Sequence, residues 1–246
     1  MSSAPARTDT SVPLPGDGVR QILWRFADRP DLLRLVQAAR RVARGPVARL
    51  VAAGGRHALE WTAEKAALLE AFEREGLGAA ELVGESGGEV ANLALALVAF
   101  ELAWVDAGAA TSNLAGALAL LPILEHGTEA QKRIYGERGA AASQAGPRRG
   151  AFALTEPFEA GSDPTRLRTT ARRDGDAWVI DGHKWFCTNG SFADFVIVMA
   201  ETNPEGRPHQ HASMFVVERG TPGMNVLRDI PTMHGPDPVF GELGNH

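Results

Sequence analysis

The chain has 246 residues, of which 44% are apolar and 22% charged, with a net charge of −5. That length suffices for a buried core and two modest domains, and the mild negative charge argues against a nucleic-acid ligand, which needs clustered Lys and Arg. The single cysteine, Cys187, excludes an internal disulfide and a cysteine metal site, and it fits a reducing cytoplasm.

Residues 1–18 lack the apolar segment of a secretory signal. Their small and polar residues, with Pro and Gly, predict a disordered tail. Residues 19–139 read as a helical domain. Asp31 after Pro30 is placed to cap a first helix, which Gly45-Pro46 interrupts or kinks. The basic cluster from Arg34 to Arg49 reads as a solvated helix face. A second helix spans Trp61 to Glu75, closed by Gly76, and a third runs from Glu89 to Asp106 after Gly87-Gly88. The fourth, Gly108 to His126, is expected to end with Gly127 in the left-handed conformation. Thr128 then caps a short helix, and Gln131 completes a capping box. The longest apolar run, Leu93 to Phe100, is too short to span a bilayer. Ala107 to Leu124, interrupted by Thr111, Ser112 and Asn113, reads as a buried bundle helix, so no membrane span is expected.

Small residues with Pro147 and Arg148-Arg149 make 140–150 a linker. Beyond it the apolar pattern alternates with period two. Ala151 to Leu154 is a short strand. Arg168 to Arg173 and Ala177 to Asp181 flank the hairpin signal Asp174-Gly175-Asp176. Asp181-Gly182 turns into Lys184 to Thr188. Phe195 to Ala200 is a continuous apolar run, expected as a buried strand, followed by Ser213 to Glu218 and Met224 to Arg228. The expected fold class is therefore α+β: an all-α N-terminal domain, then a small antiparallel β-barrel or sandwich over 150–246. Residues Gly241 to His246 offer neither an apolar strand nor a cap, and the β domain is read as truncated at its end.

Two segments could carry chemistry. In Leu154-Thr155-Glu156-Pro157-Phe158-Glu159-Ala160-Gly161-Ser162-Asp163, a strand runs into Pro157, and Gly161-Ser162 permits a tight turn with outward N–H groups. Such a loop can hold an anion or the edge of a heterocycle, or serve as an ordinary turn with hydroxyl caps. In His183-Lys184-Trp185-Phe186-Cys187-Thr188-Asn189-Gly190, adjacent aromatics on a strand are expected to face opposite ways. One is then core and the other free to stack on something planar, unless both pack within the sheet. His209-Gln210-His211 reads as an exposed loop with no third metal ligand, and Cys187 as a small buried apolar residue.

In order along the chain, Thr155-Glu156-Pro157, Ala160-Gly161-Ser162-Asp163, Thr170-Ala171, Asp174-Gly175-Asp176, Gly182, Lys184 and Thr188-Asn189-Gly190 resemble the middle-domain signature of the acyl-CoA dehydrogenase family. Glu85-Ser86-Gly87-Gly88 resembles the loop before that family's central helix, and His126 to Lys132 its Gly-Thr-Glu-x-Gln-Lys segment. The resemblance covers roughly residues 60–246, and several motifs in order make it specific.

The resemblance implies an FAD-dependent oxidoreductase that dehydrogenates an acyl-CoA thioester between its α and β carbons. Phe152, Leu154 and Thr155 would run along the flavin ring, Thr155 bonding its edge. Gly161 and Ser162 would lie near the FAD pyrophosphate, Ser162 also near the thioester end of the substrate. Phe186, Cys187 and Thr188 would cover the rest of the ring. Phe186 stands where the family has Trp, which keeps stacking but loses the indole donor. The family's base is a glutamate of a C-terminal helical domain, a region this chain lacks, so no residue here is assigned as catalytic, and Glu156 reads as a structural partner of nearby backbone or a basic residue. The implied partners are acyl-CoA, an electron-transfer flavoprotein or similar acceptor, and further copies of the chain or a longer homologue. Nitroalkane oxidases and reduced-flavin monooxygenases share the scaffold, and a non-catalytic partner subunit or gene remnant is the reading from outside enzymology.

Overall fold

The structure is a computed structural model, and it describes residues 26–53, 63–78, 82, 89–136, 148–158, 160–230 and 240–244. The expectations for residues 1–18, Trp61, Glu85 to Gly88 and most of the 140–150 linker lie outside these.

Helix α1 spans Pro30–Val42. Pro30 opens it because its missing N–H has no intrahelical partner there anyway. Asp31 is not the cap: Arg29 holds that position without a capping side chain. Asp31 instead sits in the first turn and pairs with the Arg29 guanidinium at 2.7 Å, which holds its carboxyl at about 2. At Gly45-Pro46 the chain does not break. It widens into a π-helical turn, Ala43–Val47, that accommodates the bond Pro46 cannot donate, and continues as α2, Ala48–Ala52.

Helices α3 (Ala63–Arg74), α4 (Glu89–Ala103) and α5 (Ala107–His126) follow. Gly76 takes φ +72° after α3. Val36, Ala39, Val42, Leu77 and Leu102 are among the most deeply buried side chains of the helical half. The Arg34–Arg49 cluster is not uniformly solvated. Arg40 is buried and forms a fork with Glu101 of α4, at 2.8 and 3.0 Å, because the apolar face of α1 packs directly on α4 and carries Arg40 inward with it. Asp106, expected at the end of α4, belongs to the next helix: its carboxylate accepts from Ala109 N at 2.7 Å and caps α5.

Gly127 is extended (φ −68°, ψ 157°), not left-handed. It is needed for space, since a Cβ there would stand 2.4 Å from the Ile123 carbonyl oxygen. Thr128 and Gln131 form the expected capping box over α6, Glu129–Gln131. Helix α5 is the one helix, among the described residues, long and apolar enough to cross a membrane. Here Ala119, Leu120 and Ile123 bury its face against the β half.

The β half contains β1 (Gly150–Ala153), β2 (Thr170–Asp174), β3 (Ala177–Asp181), β4 (His183–Thr188), β5 (Phe195–Glu201), β6 (Ala212–Glu218), β7 (Asn225–Asp229) and β8 (Phe240–Gly244). The first sheet is built on β5, with β6 along one edge and β1, β2 and β3 on the other side. The β2–β3 hairpin turns at Gly175, φ +60°. The second sheet has the order β4-β8-β7.

Of the barrel or sandwich expected, the described residues of the β half form two sheets rather than a closed barrel. Two other expectations change for the β half. It is not purely antiparallel, because β1 and β2 both run parallel to β5: β1 enters from the helical half and reaches β5 only after three intervening strands. Gly241 to Gly244, where no apolar strand was expected, lie in β8, the middle strand of the second sheet, a pairing supplied by distant strands and invisible to local pattern. His211 is also buried rather than exposed, because its loop folds back so that its carbonyl accepts from Thr202 and Asn203 N–H at 2.8 and 2.9 Å.

The halves are joined along α5. Gly150 presses so closely on that helix that a Cβ would lie 2.6 Å from Ala119 Cβ and 2.8 Å from the Phe195 ring. At the far end, Tyr135 and Arg148 both bond Glu218 of β6, and Arg148 lies 4.9 Å above the Tyr135 ring. Burial first, and then the Glu218 carboxylate, push the Tyr135 hydroxyl up to about 12.

Candidate cofactor-binding site

The two chemistry-bearing segments meet. After β1 the chain continues as Leu154-Thr155-Glu156 alongside β4, and the Thr155 carbonyl accepts from Trp185 N–H at 2.8 Å. Beneath this junction lies the ion pair of Glu156 and Lys184, at 2.7 Å, with both side chains almost wholly buried. Lys184 Nζ also donates to the Leu154 carbonyl at 3.0 Å. The Glu156 carboxylate takes two further bonds, from Arg168 N at 2.7 Å and Thr169 N at 2.9 Å. Burial alone would push this carboxyl up, but Lys184 and the N–H donors more than offset it and hold it below the usual carboxylate range. Glu156 is therefore the structural partner expected, of both backbone and a basic residue.

The loop beyond is closed at its base by Glu156 N–H donating to the Gly161 carbonyl at 2.8 Å. Gly161 is left-handed, φ +55°, with nothing within 4 Å of where a Cβ would stand. The Ser162 hydroxyl is exposed. Asp163 caps the short turn Pro164–Arg166 through Thr165 N, at 2.9 Å. Phe158, near the loop tip, is 89% exposed and also left-handed, φ +65°.

In β4 the expected alternation fails. The pairing with β8 shifts register between Lys184 and Cys187, and Phe186 adopts φ +53°. A bulge changes the facing of successive side chains, so Trp185 and Phe186 do not point to opposite faces. Their rings stack, with centroids 5.1 Å apart and planes within 9°. The Arg228 guanidinium lies 5.8 Å from the Trp185 ring. Phe186 is 48% exposed. The indole N–H of Trp185 is buried without an acceptor among the described residues.

The structure thus brings Leu154, Thr155 and Phe186 to one place, with Thr188 half-buried at the end of β4. It turns two named residues inward. The Phe152 ring packs with the Ala119, Leu120, Ile123, Phe195 and Ile197 cluster against α5. The Cys187 thiol sits among Ala151, Ala153, Ala193 and Val196. For these two, only backbone remains to meet a ligand, because strand parity commits their side chains to the core. Burial pushes the Cys187 thiol up to about 12, against a smaller opposing effect of Lys184. The native chain is therefore expected to be inert to a disulfide reagent at pH 8 and to react fully only once unfolded, a contrast read by the colour of released thionitrobenzoate.

Sequence reasoning assigned no role to Asn189. It is buried and left-handed, φ +67°, and it grips Ser112 of α5. Its Oδ1 accepts from Ser112 Oγ at 2.8 Å, and its Nδ2 donates to the Ser112 carbonyl at 2.9 Å. Asn-Gly after a strand was the available signal, since Asn tolerates this backbone region.

Comparison with known proteins agrees with this organisation. The acyl-CoA dehydrogenase N-terminal domain matches residues 30–142, and the middle domain of the same family matches residues 151–242. A cyclohex-1-ene-1-carbonyl-CoA dehydrogenase of Geobacter metallireducens is 42% identical over 157 residues, covering 64% of this chain and 40% of that relative. A short-chain acyl-CoA dehydrogenase of Megasphaera elsdenii is 39% identical over 142 residues, covering 57% and 35%. Among solved structures, a glutaryl-CoA dehydrogenase from Mycobacterium smegmatis in complex with FADH2 superposes with a TM-score of 0.74 at 27% identity, over 92% of this chain and 54% of that one. The chain spans about a third to two-fifths of the length of the curated relatives it matches. With both family domains matched in order, the chain belongs to the acyl-CoA dehydrogenase family.

Proposed function

We propose that this chain forms the flavin-contacting half of an FAD-dependent acyl-CoA dehydrogenase. The observation that supports it most directly is the Trp185–Thr155 backbone bond, which sets the two family segments side by side beneath the exposed Phe186 ring. The residues present fit a flat cofactor. Two parallel aromatic rings form a plate, a buried indole N–H has no acceptor among the described residues, and the space where a Cβ of Gly161 would stand is open.

On this reading Phe186 stacks on the isoalloxazine, and Leu154 and Thr155 line its edge, the Thr155 hydroxyl donating to it. Phe152, Cys187 and Thr188 shape the same wall, the first two through backbone. Gly161 and Ser162 receive the pyrophosphate, and Ser162 also meets the thioester end of acyl-CoA. FAD, when bound, supplies the hydride acceptor of the α,β-dehydrogenation. The chain's own part is to orient ring and thioester and to keep water from them. Glu156 is committed to Lys184 and backbone, so the proton-abstracting carboxylate comes from elsewhere, as the family's C-terminal glutamate does. An electron-transfer flavoprotein or similar acceptor, and assembly with further copies or a longer homologue, belong to the same proposal.

Titration of the purified chain with FAD, followed by absorption and flavin fluorescence, tests it. The expected result is a perturbed flavin spectrum that acyl-CoA does not bleach. An unperturbed spectrum refutes the cofactor reading and favours a partner subunit that gains FAD only on assembly. Bleaching would show that this chain carries its own base.

A further inference from the structure

Phe186 holds a backbone conformation that bulky side chains rarely adopt. Such a residue persists only where its neighbours over-determine it, and here it is anchored on both sides. Before it, Trp185 N–H is tied to the Thr155 carbonyl at 2.8 Å. After it, Cys187 is sunk in the core, and Asn189 is fixed to α5 by both ends of its amide. The turn beyond is held as well. Gly190 N donates to the Cys187 carbonyl, Phe192 and Ala193 N–H donate to the Asn189 carbonyl, and Arg219 reaches the Gly190 carbonyl.

Ser112 lies two helical turns before Ala119, the residue against which Gly150 of β1 is pressed. Both strands that face the candidate cofactor are thus indexed to one face of one helix. The β1 contact is apolar and sets distance. The Ser112–Asn189 pair is directional and sets the rotation of the β4 end.

We infer that Ser112 and Asn189 are positioning residues: a reciprocal hydrogen-bond clamp between α5 and the end of β4 that keeps Phe186 left-handed and its ring turned outward. The purpose assigned to the clamp, presenting that ring to the flavin, rests on the function proposed above. The clamp itself does not.

The test uses the full chain labelled with 5-fluorotryptophan, with the Trp185 signal assigned by Trp185→Phe. Ser112→Ala is expected to move the Trp185 fluorine resonance as the ring stack loosens, and to weaken FAD binding by about tenfold, the worth of one such hydrogen bond. Ser112→Thr, which keeps the hydroxyl, is expected to restore both. Ser112→Cys, whose thiol is a weaker donor, is expected to give a smaller shift in the same direction, and it serves if the alanine variant does not fold. A Trp185 resonance that stays put in the folded variants overturns the clamp, whatever happens to the melting temperature. If FAD leaves the wild-type chain unperturbed, the flavin reading fails while the fluorine signal still decides the clamp.

Discussion

Replacing Glu156 with alanine is expected to cost about 3–5 kcal/mol of stability, the usual result of orphaning a buried charge. The variant leaves the buried Lys184 ammonium with the Leu154 carbonyl as its remaining partner among the described residues, and it strips the acceptor from Arg168 and Thr169 N–H. Urea unfolding measures the loss, and a variant within 1 kcal/mol of wild type, on the scale of ordinary surface changes of about 0.5 kcal/mol, would refute the account. The pH dependence has a defined sign. The Glu156 carboxyl is held lower in the folded chain than in the unfolded one. Its stabilisation is therefore complete above the unfolded carboxylate value of about 4.3, and it is lost as pH falls through the folded value. Glu156→Gln should accordingly flatten the acid limb of a melting-temperature profile. The same truncation would loosen the junction of Thr155 and Trp185, so a stability loss here predicts a loss of cofactor affinity as well.

The second large effect lies in the helical half. Glu101 is fully buried and holds the Arg40 guanidinium in a two-pronged bond. Glu101→Ala alone is expected to cost about 3–5 kcal/mol, because it takes from the buried Arg40 guanidinium the carboxylate that meets it at two nitrogens. Replacing both partners, Arg40→Met with Glu101→Leu, is expected to be neutral or to stabilise by about 1–4 kcal/mol, since the desolvation of two charges disappears with their attraction. Far-ultraviolet circular dichroism in a denaturant series separates the outcomes. A double variant as unstable as the single one would mean that the pair does more than match its own charges.

The parts of this molecule legible in the sequence are those governed by neighbours in the chain. The Thr128–Gln131 capping box and the Gly175 hairpin rest on contacts within a few residues, and the strand at Phe195 is marked by its continuous apolar run. Ordered motifs carried the family. Partners far apart in sequence were not legible. Arg40 reads as one more basic residue on a charged helix, because its partner stands 61 residues away. Phe240–Gly244 has no strand pattern of its own and is held by β4 and β7. In the candidate site, Leu154, Thr155 and Phe186 lie together as the motifs imply, but the inward turn of Phe152 and Cys187 follows from sheet register. The bulge that stacks Trp185 on Phe186 breaks the alternation on which their facing was judged.

Asn189-Gly190 is the dipeptide at which chains most readily lose ammonia with age, when the following backbone nitrogen attacks the side-chain amide and closes a succinimide ring. Here neither participant is at liberty. The Gly190 nitrogen is directed at the Cys187 carbonyl, and the Asn189 amide is held at both ends by Ser112. Chemical ageing at this step is thereby made conditional on opening of the α5–β4 contact. An aspartate or isoaspartate appearing at position 189 during storage would be a lasting record of how often the two halves of the chain come apart.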